Sequence, residues 1–210
     1  MSAFLALLAG GVAIGFAGIF MRLSDVNPVA SAFWRMAIAA PLLWTAVLAS
    51  RRGRGASARA VSHWSALTCW AGACFAGDLA FWHSSLHLTT VSNATLLSNL
   101  APVFIAGWLW AAHRVRFQPT FLLGMLATLG GAVLLVVPNA ASIGQDARLY
   151  GDLLGVGSAV FYGAYQLIIR RARARQSTVE VMAVSSTVTA ALLLPLALMT
   201  PGPVFPAALQ

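Results

Sequence analysis

Seven apolar runs, each about as long as a bilayer crossing, are strung along this chain, and its polar residues crowd into the gaps. A membrane helix needs roughly 20 mostly apolar residues. The runs lie at 3–21, 28–49, 63–86, 92–112, 119–138, 151–169 and 179–199. Local signals punctuate them. Asn27 stands where an N-cap belongs, with Pro28 at the first helical position of the second run. Pro119 opens the fifth run and Pro138 closes it. Asp152 puts a carboxylate at the start of the sixth, where the helix dipole favours it. Pro201-Gly202-Pro203 stops the seventh. The pattern predicts an all-α membrane protein, a bundle of about seven transmembrane helices.

Charge adds direction to this picture. All thirteen basic residues other than histidine are arginines. Ten of them fall in three stretches: Arg51, Arg52, Arg54 and Arg59; Arg114 and Arg116; Arg170, Arg171, Arg173 and Arg175. These follow runs two, four and six, and short cytoplasmic loops are where arginine collects. The opposite connections hold Arg22 and Arg148, beside Asp25 and Asp146. The expected topology has the N-terminus and all three arginine stretches in the cytoplasm and the chain after Pro201 in the periplasm. Arginine without lysine, with abundant alanine, reads as a GC-rich bacterial gene, hence a bacterial inner membrane.

Composition narrows the class. Hydrophobic residues make up 60% of the chain and charged ones 9%, against roughly 45–50% and 25% in soluble domains. A mean hydropathy of +0.82 agrees, and lipid must solvate much of that surface. The net charge of +8 does not require nucleic acid, because loop topology accounts for the arginines. The first run lacks a basic leader and a cleavage site, so it reads as a span rather than a signal peptide. Cys69 and Cys74 are too few for a disulfide framework and too close on one helix to bridge. Small-residue pairs, Gly11 with Gly15, Ala73 with Gly77, Ala127 with Gly131 and Gly151 with Gly155, mark expected close helix contacts.

An internal repeat follows. Gly11 to Phe20, a polar turn and Val29 onward are echoed by Gly157 to Gln166, a polar turn and Val179 onward, at an offset of about 146 to 150 residues. A period of five spans inverts the second copy in the membrane, and inverted repeats with a midplane site belong to secondary transporters.

At family level the chain resembles the EamA permeases of the drug/metabolite transporter superfamily. Three stretches carry the likeness: Pro28 to Arg35, the long motif from Gly77 to Phe104 ending in an alanine-rich segment before Pro102, and the glycine-rich helix from Phe121 to Val137. One departure is His113-Arg114, where the family usually has glutamate-arginine. The resemblance implies two five-helix repeats working by alternating access on a small-molecule substrate, such as an amino acid, another metabolite or a drug, with export favoured over import and homodimers possible. On that frame residues 1–139 form a complete first repeat and 150–210 the first two helices of an inverted second, so the expectation is a chain truncated at its C-terminus. The alternative reading is an incomplete, non-transporting membrane protein fragment.

Candidate pathway residues are the polar groups inside the spans. Arg35 lies about two turns from the outer end of the second span, where a charge costs about 2.5–3.5 kcal/mol on insertion scales. It either binds or gates an anion, or snorkels structurally. Asp78 either pairs with Arg35, carries a coupling proton, or is a hydrogen-bonded structural group. Asp78, Trp82 and Ser85 follow helical spacing on one face. Pro102 cannot donate to the carbonyl of Ser98, and Asn99 sits beside that break, a candidate polar contact at mid-depth. Ser158, Tyr162, Tyr165 and Gln166 form a polar stripe on the sixth span. His83 and His87 have metal-ligand spacing, but no carboxylate or cysteine joins them, and they read as interface residues. Glu180 near Arg173 and Arg175 reads as an interfacial ion pair. With no nucleophile elbow or oxyanion framework, no enzyme chemistry and no cofactor are expected. Reporter fusions at Gly55 and Gln145 test the topology: Gly55 should report cytoplasm and Gln145 periplasm, and a periplasmic signal at Gly55 overturns it.

Overall fold

The computed structural model describes residues 2–52, 64–136 and 145–206. Arg54, Arg59 and Pro138 lie outside the described residues. The described residues form eight α-helices: α1 (Ser2–Arg22), α2 (Pro28–Arg52), α3 (Ala66–Leu88), α4 (Val91–Ser98), α5 (Ala101–His113), α6 (Pro119–Val136), α7 (Gln145–Ala172) and α8 (Thr178–Met199). They contain no strand. The fourth run, expected as one continuous span, is two helices. The chain leaves α4 at Asn99 and restarts at Ala101, with Pro102 in the first turn of α5. A proline has no N–H to donate to the preceding turn, so the break falls just ahead of it. Taken as one rod, α4–α5 brings the number of rods to the expected seven.

Four rods are both long and apolar enough to cross a membrane: Pro28–Ser50, Val91–His113, Ala147–Ala172 and Thr178–Met199. Shorter apolar stretches, Leu7–Met21 and Pro119–Gly131, cover α1 and α6. Asp78, His83, Ser84, Ser85 and His87 make α3 the polar rod of the set. Helix α7, the sixth expected span, starts at Gln145 rather than Gly151, because the turn holding Arg148 and Asp152 is itself helical, with the two side chains 3.8 Å apart at i, i+4 spacing.

Side-chain caps set several boundaries. The Asn27 side-chain oxygen accepts from the Ala30 amide at 2.7 Å, as expected for an N-cap. Ser65 with Thr68, and Ser177 with Glu180, close capping boxes on α3 and α8. Glu180 thus serves the cap of α8. Helix α5 ends on Arg114 in the left-handed region, φ 53°.

Two antiparallel pairings organise the bundle: α3 against α7, and α2 against α8. Along the first, Thr89 meets Asp152, Phe81 meets Gly157, Gly77 meets Phe161 and Phe75 meets Tyr165. Phe81 and Phe161 stand one turn from Gly77 and Gly157 on their own helices. Each ring therefore fills the hollow left by the other helix's glycine, and the two rings touch at 5.3 Å. Along the second pairing, the Asn27 amide donates to the Ala197 carbonyl at 3.1 Å and the Trp44 indole donates to Thr187 at 3.0 Å. Val29, Ala32, Met36, Ala76, Leu79 and Leu193 form the core where α2, α3 and α8 meet.

Only some of the expected small-residue contacts appear. Gly77, Gly151 and Gly155 lie against neighbouring helices, whereas nothing approaches Gly11, Gly15 or Gly131 within 4 Å. Phe4, Leu7, Ile14 and Phe20 of α1 are exposed, and so are Gly11 and Gly15, while Gly18 lies against Val91 of α4. Cys69 and Cys74 are half-buried and unbridged. A Cβ at Gly77 would lie 2.6 Å from the Phe161 ring and one at Gly157 2.7 Å from the Phe81 ring. Gly77→Ala and Gly157→Ala should each destabilise the protein by about 1–3 kcal/mol, while Gly11→Ala and Gly15→Ala are neutral or gain about 0.5–1 kcal/mol of helix propensity. Thermal unfolding in detergent checks this. Equal effects at the two sets of sites would refute the interlock.

Candidate functional site

Helix α3 carries chemistry on two sides because α7 covers one of them and α1 with α2 flank the other. Asp78 is buried on the α7 side, 8% exposed, and its carboxylate accepts a 2.5 Å hydrogen bond from the Ser158 hydroxyl. A buried carboxylate needs such a donor to offset desolvation. Ser85 donates to the Gly151 carbonyl at 2.7 Å, and Thr89 donates to Asp152 at 2.7 Å. From α8, the Thr189 hydroxyl shares its proton between the Ser185 carbonyl at 2.7 Å and the Gly72 carbonyl at 2.8 Å, which the missing glycine side chain leaves open. The seam is thus a row of polar groups, each matched across a helix interface.

Arg35 and Asp78 do not form the direct pair that was one expectation. They attract each other electrostatically, but no ion pair within 4.0 Å joins them among the described residues. Asp78 is committed to α7, while Arg35 points into a cavity bounded by α1, α2 and α3. That cavity has a volume of about 460 Å³, and Ser24, Ser31, Arg35 and His83 are its polar lining. Its α1 wall is apolar, with Ile14, Ala17 and Phe20. His83 is buried, and its Nδ1 lies 2.8 Å from the Leu79 carbonyl. That carbonyl can only accept, so Nδ1 carries the proton and Nε2 is the ring atom left for a ligand. His87, one turn on, is exposed, whereas His83 is buried.

The other expected residues divide by position. Trp82 does not share the α7 face with Asp78 and Ser85. It packs on Met21, Leu86 and Ala94 and sets its ring edge-on to His83 at 4.9 Å. Tyr162 and Tyr165 stack at 6.0 Å, Tyr165 stacks on Phe75 at 4.7 Å, and the Tyr165 hydroxyl shares a hydrogen bond with Ser185. They continue the Asp78–Ser158 seam. Gln166 is exposed and leaves that stripe, because one residue past Tyr165 the helix has rotated away from α3. At the α4–α5 break, Asn99 and Pro102 are exposed, and the Ser98 hydroxyl donates to its own helix at Thr95, 2.9 Å away. None of the three lines the Arg35 cavity.

Three side chains of interest were not singled out from the sequence. Ser31 is one turn before Arg35, so helical spacing from the arginine would have found it. Ser24 sits in the α1–α2 turn, and only the fold brings it to the cavity. Asn93 is fully buried on α4, and neither atom of its side-chain amide has a hydrogen-bond partner. Its place in the first turn of α4 resembles an ordinary capping position.

Comparison with known proteins agrees with this architecture. A family model described as the EamA-like transporter family matches residues 1–137. An uncharacterized transporter of Archaeoglobus fulgidus is 28% identical over 153 residues, 73% of this chain and 51% of the relative. An uncharacterized transporter of Schizosaccharomyces pombe is 25% identical over 95 residues, 43% of this chain and 28% of the relative. The chain thus spans about half the length, or less, of these curated relatives. No solved structure matches it at a significant level. With most of its length matched by one family of transporters, and with long apolar helices throughout, this multi-pass membrane protein belongs to the EamA-like transporter family and not to a family of enzymes.

Proposed function

We propose that the chain is a secondary transporter of small metabolites in a bacterial inner membrane, working by alternating access between two inverted repeats. Residues 1–139 are the first repeat and 150–210 supply the opening helices of the second. The arginine stretches face the cytoplasm, and export is the favoured direction.

The observation that carries this reading is the match between two helical hairpins. Helices α1 and α2 are joined by residues 23–27, and α7 and α8 by residues 173–177, connections of equal length. Helices α2 and α8 each begin on a side-chain cap that accepts the amide three residues on: Asn27 from Ala30, and Ser177 from Glu180. Helix α7 is the sixth rod and α1 the first, so alternate crossings run them in opposite directions. Helices α2 and α8 then meet antiparallel, as the matched second helices of inverted repeats would across a pseudo-two-fold axis. The uncovered faces of α1 and α6 offer room for further helices or for a second copy.

Within this reading Arg35, Asp78 and Trp82 line or border the pathway, with Tyr162 and Tyr165 continuing it along α7. Ser98, Asn99, Pro102 and Gln166 border it from the periphery. Proteoliposomes containing the chain should release at least one compound from a radiolabelled set of amino acids, organic acids and organic amines faster than empty liposomes. Arg35→Gln and Asp78→Asn should each slow that flux at least tenfold, because each removes a charge from the bundle interior. Release equal to empty liposomes for every compound, from protein shown to be folded, overturns the transport reading.

A further inference from the structure

We infer that the cavity between α1, α2 and α3 binds a small organic carboxylate with an apolar body, gripped at its charged end by Arg35. What the site is for rests on the transport reading above. What it binds is argued from the cavity alone.

Arg35 sits seven residues into α2, about 10 Å along the helix from Pro28 at 1.5 Å per residue. It lines the cavity, and no hydrogen bond or ion pair to its guanidinium is recorded among the described residues. The nearest carboxylate, Asp78, already takes the Ser158 hydroxyl on the far side of α3. A cation at this depth with its donor fork open is a site prepared for an anion. The planar fork matches a carboxylate through two parallel hydrogen bonds. A dianionic phosphate fits less well, because the cavity holds one arginine and Asp78 stands behind it.

The remaining lining defines the rest of the ligand. Ser31 is one turn before Arg35 on the same face, and Ser24 lies at the cavity rim in the α1–α2 turn. Both hydroxyls can donate to the carboxylate. Nε2 of His83 offers an acceptor to an O–H or N–H on the ligand whenever the ring is neutral. Opposite them, Ile14, Ala17 and Phe20 of α1 provide a wall without polar side chains. A ligand with its charge at α2 and a branched hydrocarbon body against α1 satisfies both sides. The volume of about 460 Å³ is within the usual range for a small-molecule site, roughly 300–1,000 Å³.

The test uses three isosteric probes on the purified chain in detergent: 4-methylpentanoate, 4-methylpentanamide and 4-methylpentylamine. Calorimetric titration and the shift in unfolding temperature are the readouts. The carboxylate should bind at least tenfold more tightly than the amide or the amine. Arg35→Gln should lose at least tenfold in affinity for the carboxylate, and Arg35→Lys should fall between, keeping the charge without the fork. Ala17→Phe fills the cavity from the α1 wall, leaves Arg35 in place and should abolish binding. If Arg35→Gln fails to fold, the lysine and phenylalanine variants decide. Equal binding of the three probes, or wild-type affinity in folded Arg35→Gln or Ala17→Phe, overturns the site. Carboxylate binding without flux in liposomes would retain the site and remove the transport reading. Flux of an amine or a neutral compound with no carboxylate binding would do the reverse.

Discussion

The reciprocal fit of Phe81 into Gly157 and Phe161 into Gly77 holds α3 and α7 at the close spacing on which the rest of the bundle depends. Lipid is as apolar as leucine, so burying hydrocarbon between helices adds little drive for association in a membrane. Packing and interhelical hydrogen bonds must supply it. The interlock supplies the packing. It also brings the two backbones near enough for Ser85 to reach the Gly151 carbonyl and for Ser158 to reach Asp78. Such bonds average about 0.6 kcal/mol in membrane proteins and reach about 1.7, so none holds the pair alone. Their number, and the fixed register that the glycines impose, make the seam.

The same geometry explains how a carboxylate survives inside the bundle. Asp78 lies one residue past Gly77 and Ser158 one past Gly157. The contacts that set the spacing therefore also place donor and acceptor face to face. Helix α8 repeats the device on a smaller scale, with Thr189 reaching the Gly72 carbonyl where no side chain intervenes. Glycine in these spans is an opening through which a hydroxyl meets a neighbouring backbone.

Much of the fold was legible because a bilayer imposes one length and one composition on every span. Helix boundaries read from apolar runs fall near the observed ones at α1, α2, α3, α6 and α8. Asn27 capped as its position implied, and the error at α7 came from counting the Arg148–Asp152 turn as a loop. Pro102 was visible, but whether a proline kinks a helix or ends it depends on the neighbours that re-satisfy the freed carbonyls. Small-residue pairs were half informative. Gly77, Gly151 and Gly155 have partners and Gly11, Gly15 and Gly131 do not, since spacing shows that a face is narrow but not what lies against it. The candidate site followed the same rule. Charged residues in apolar spans stood out at Arg35 and Asp78, but helical spacing cannot say that they face different compartments of the bundle. It could not separate Tyr165 from Gln166 by contact either, or deliver Ser24 to a cavity formed by three helices.

That division of α3 into two sides carries the mechanical consequence. On the α7 side, sliding by one residue would drive an aromatic ring out of its glycine hollow and break the Ser158–Asp78 and Ser85–Gly151 bonds together. Densely packed, interlocked elements have discrete arrangements and do not deform continuously. On the α1 side the close packing is confined to the C-terminal end, where Gly18 meets Val91 and Met21 packs on Leu86 and Ala94. Gly11 and Gly15 have nothing against them, and the wall facing Arg35 is built of alanine, isoleucine and phenylalanine. Contacts of that kind slide at low cost because they carry no directional bonds. Any change in access to the Arg35 cavity is therefore cheaper through displacement of α1 than through disruption of the α3–α7 seam. The Arg35 fork sits on the border between the interlocked seam and the more sparsely packed α1 wall.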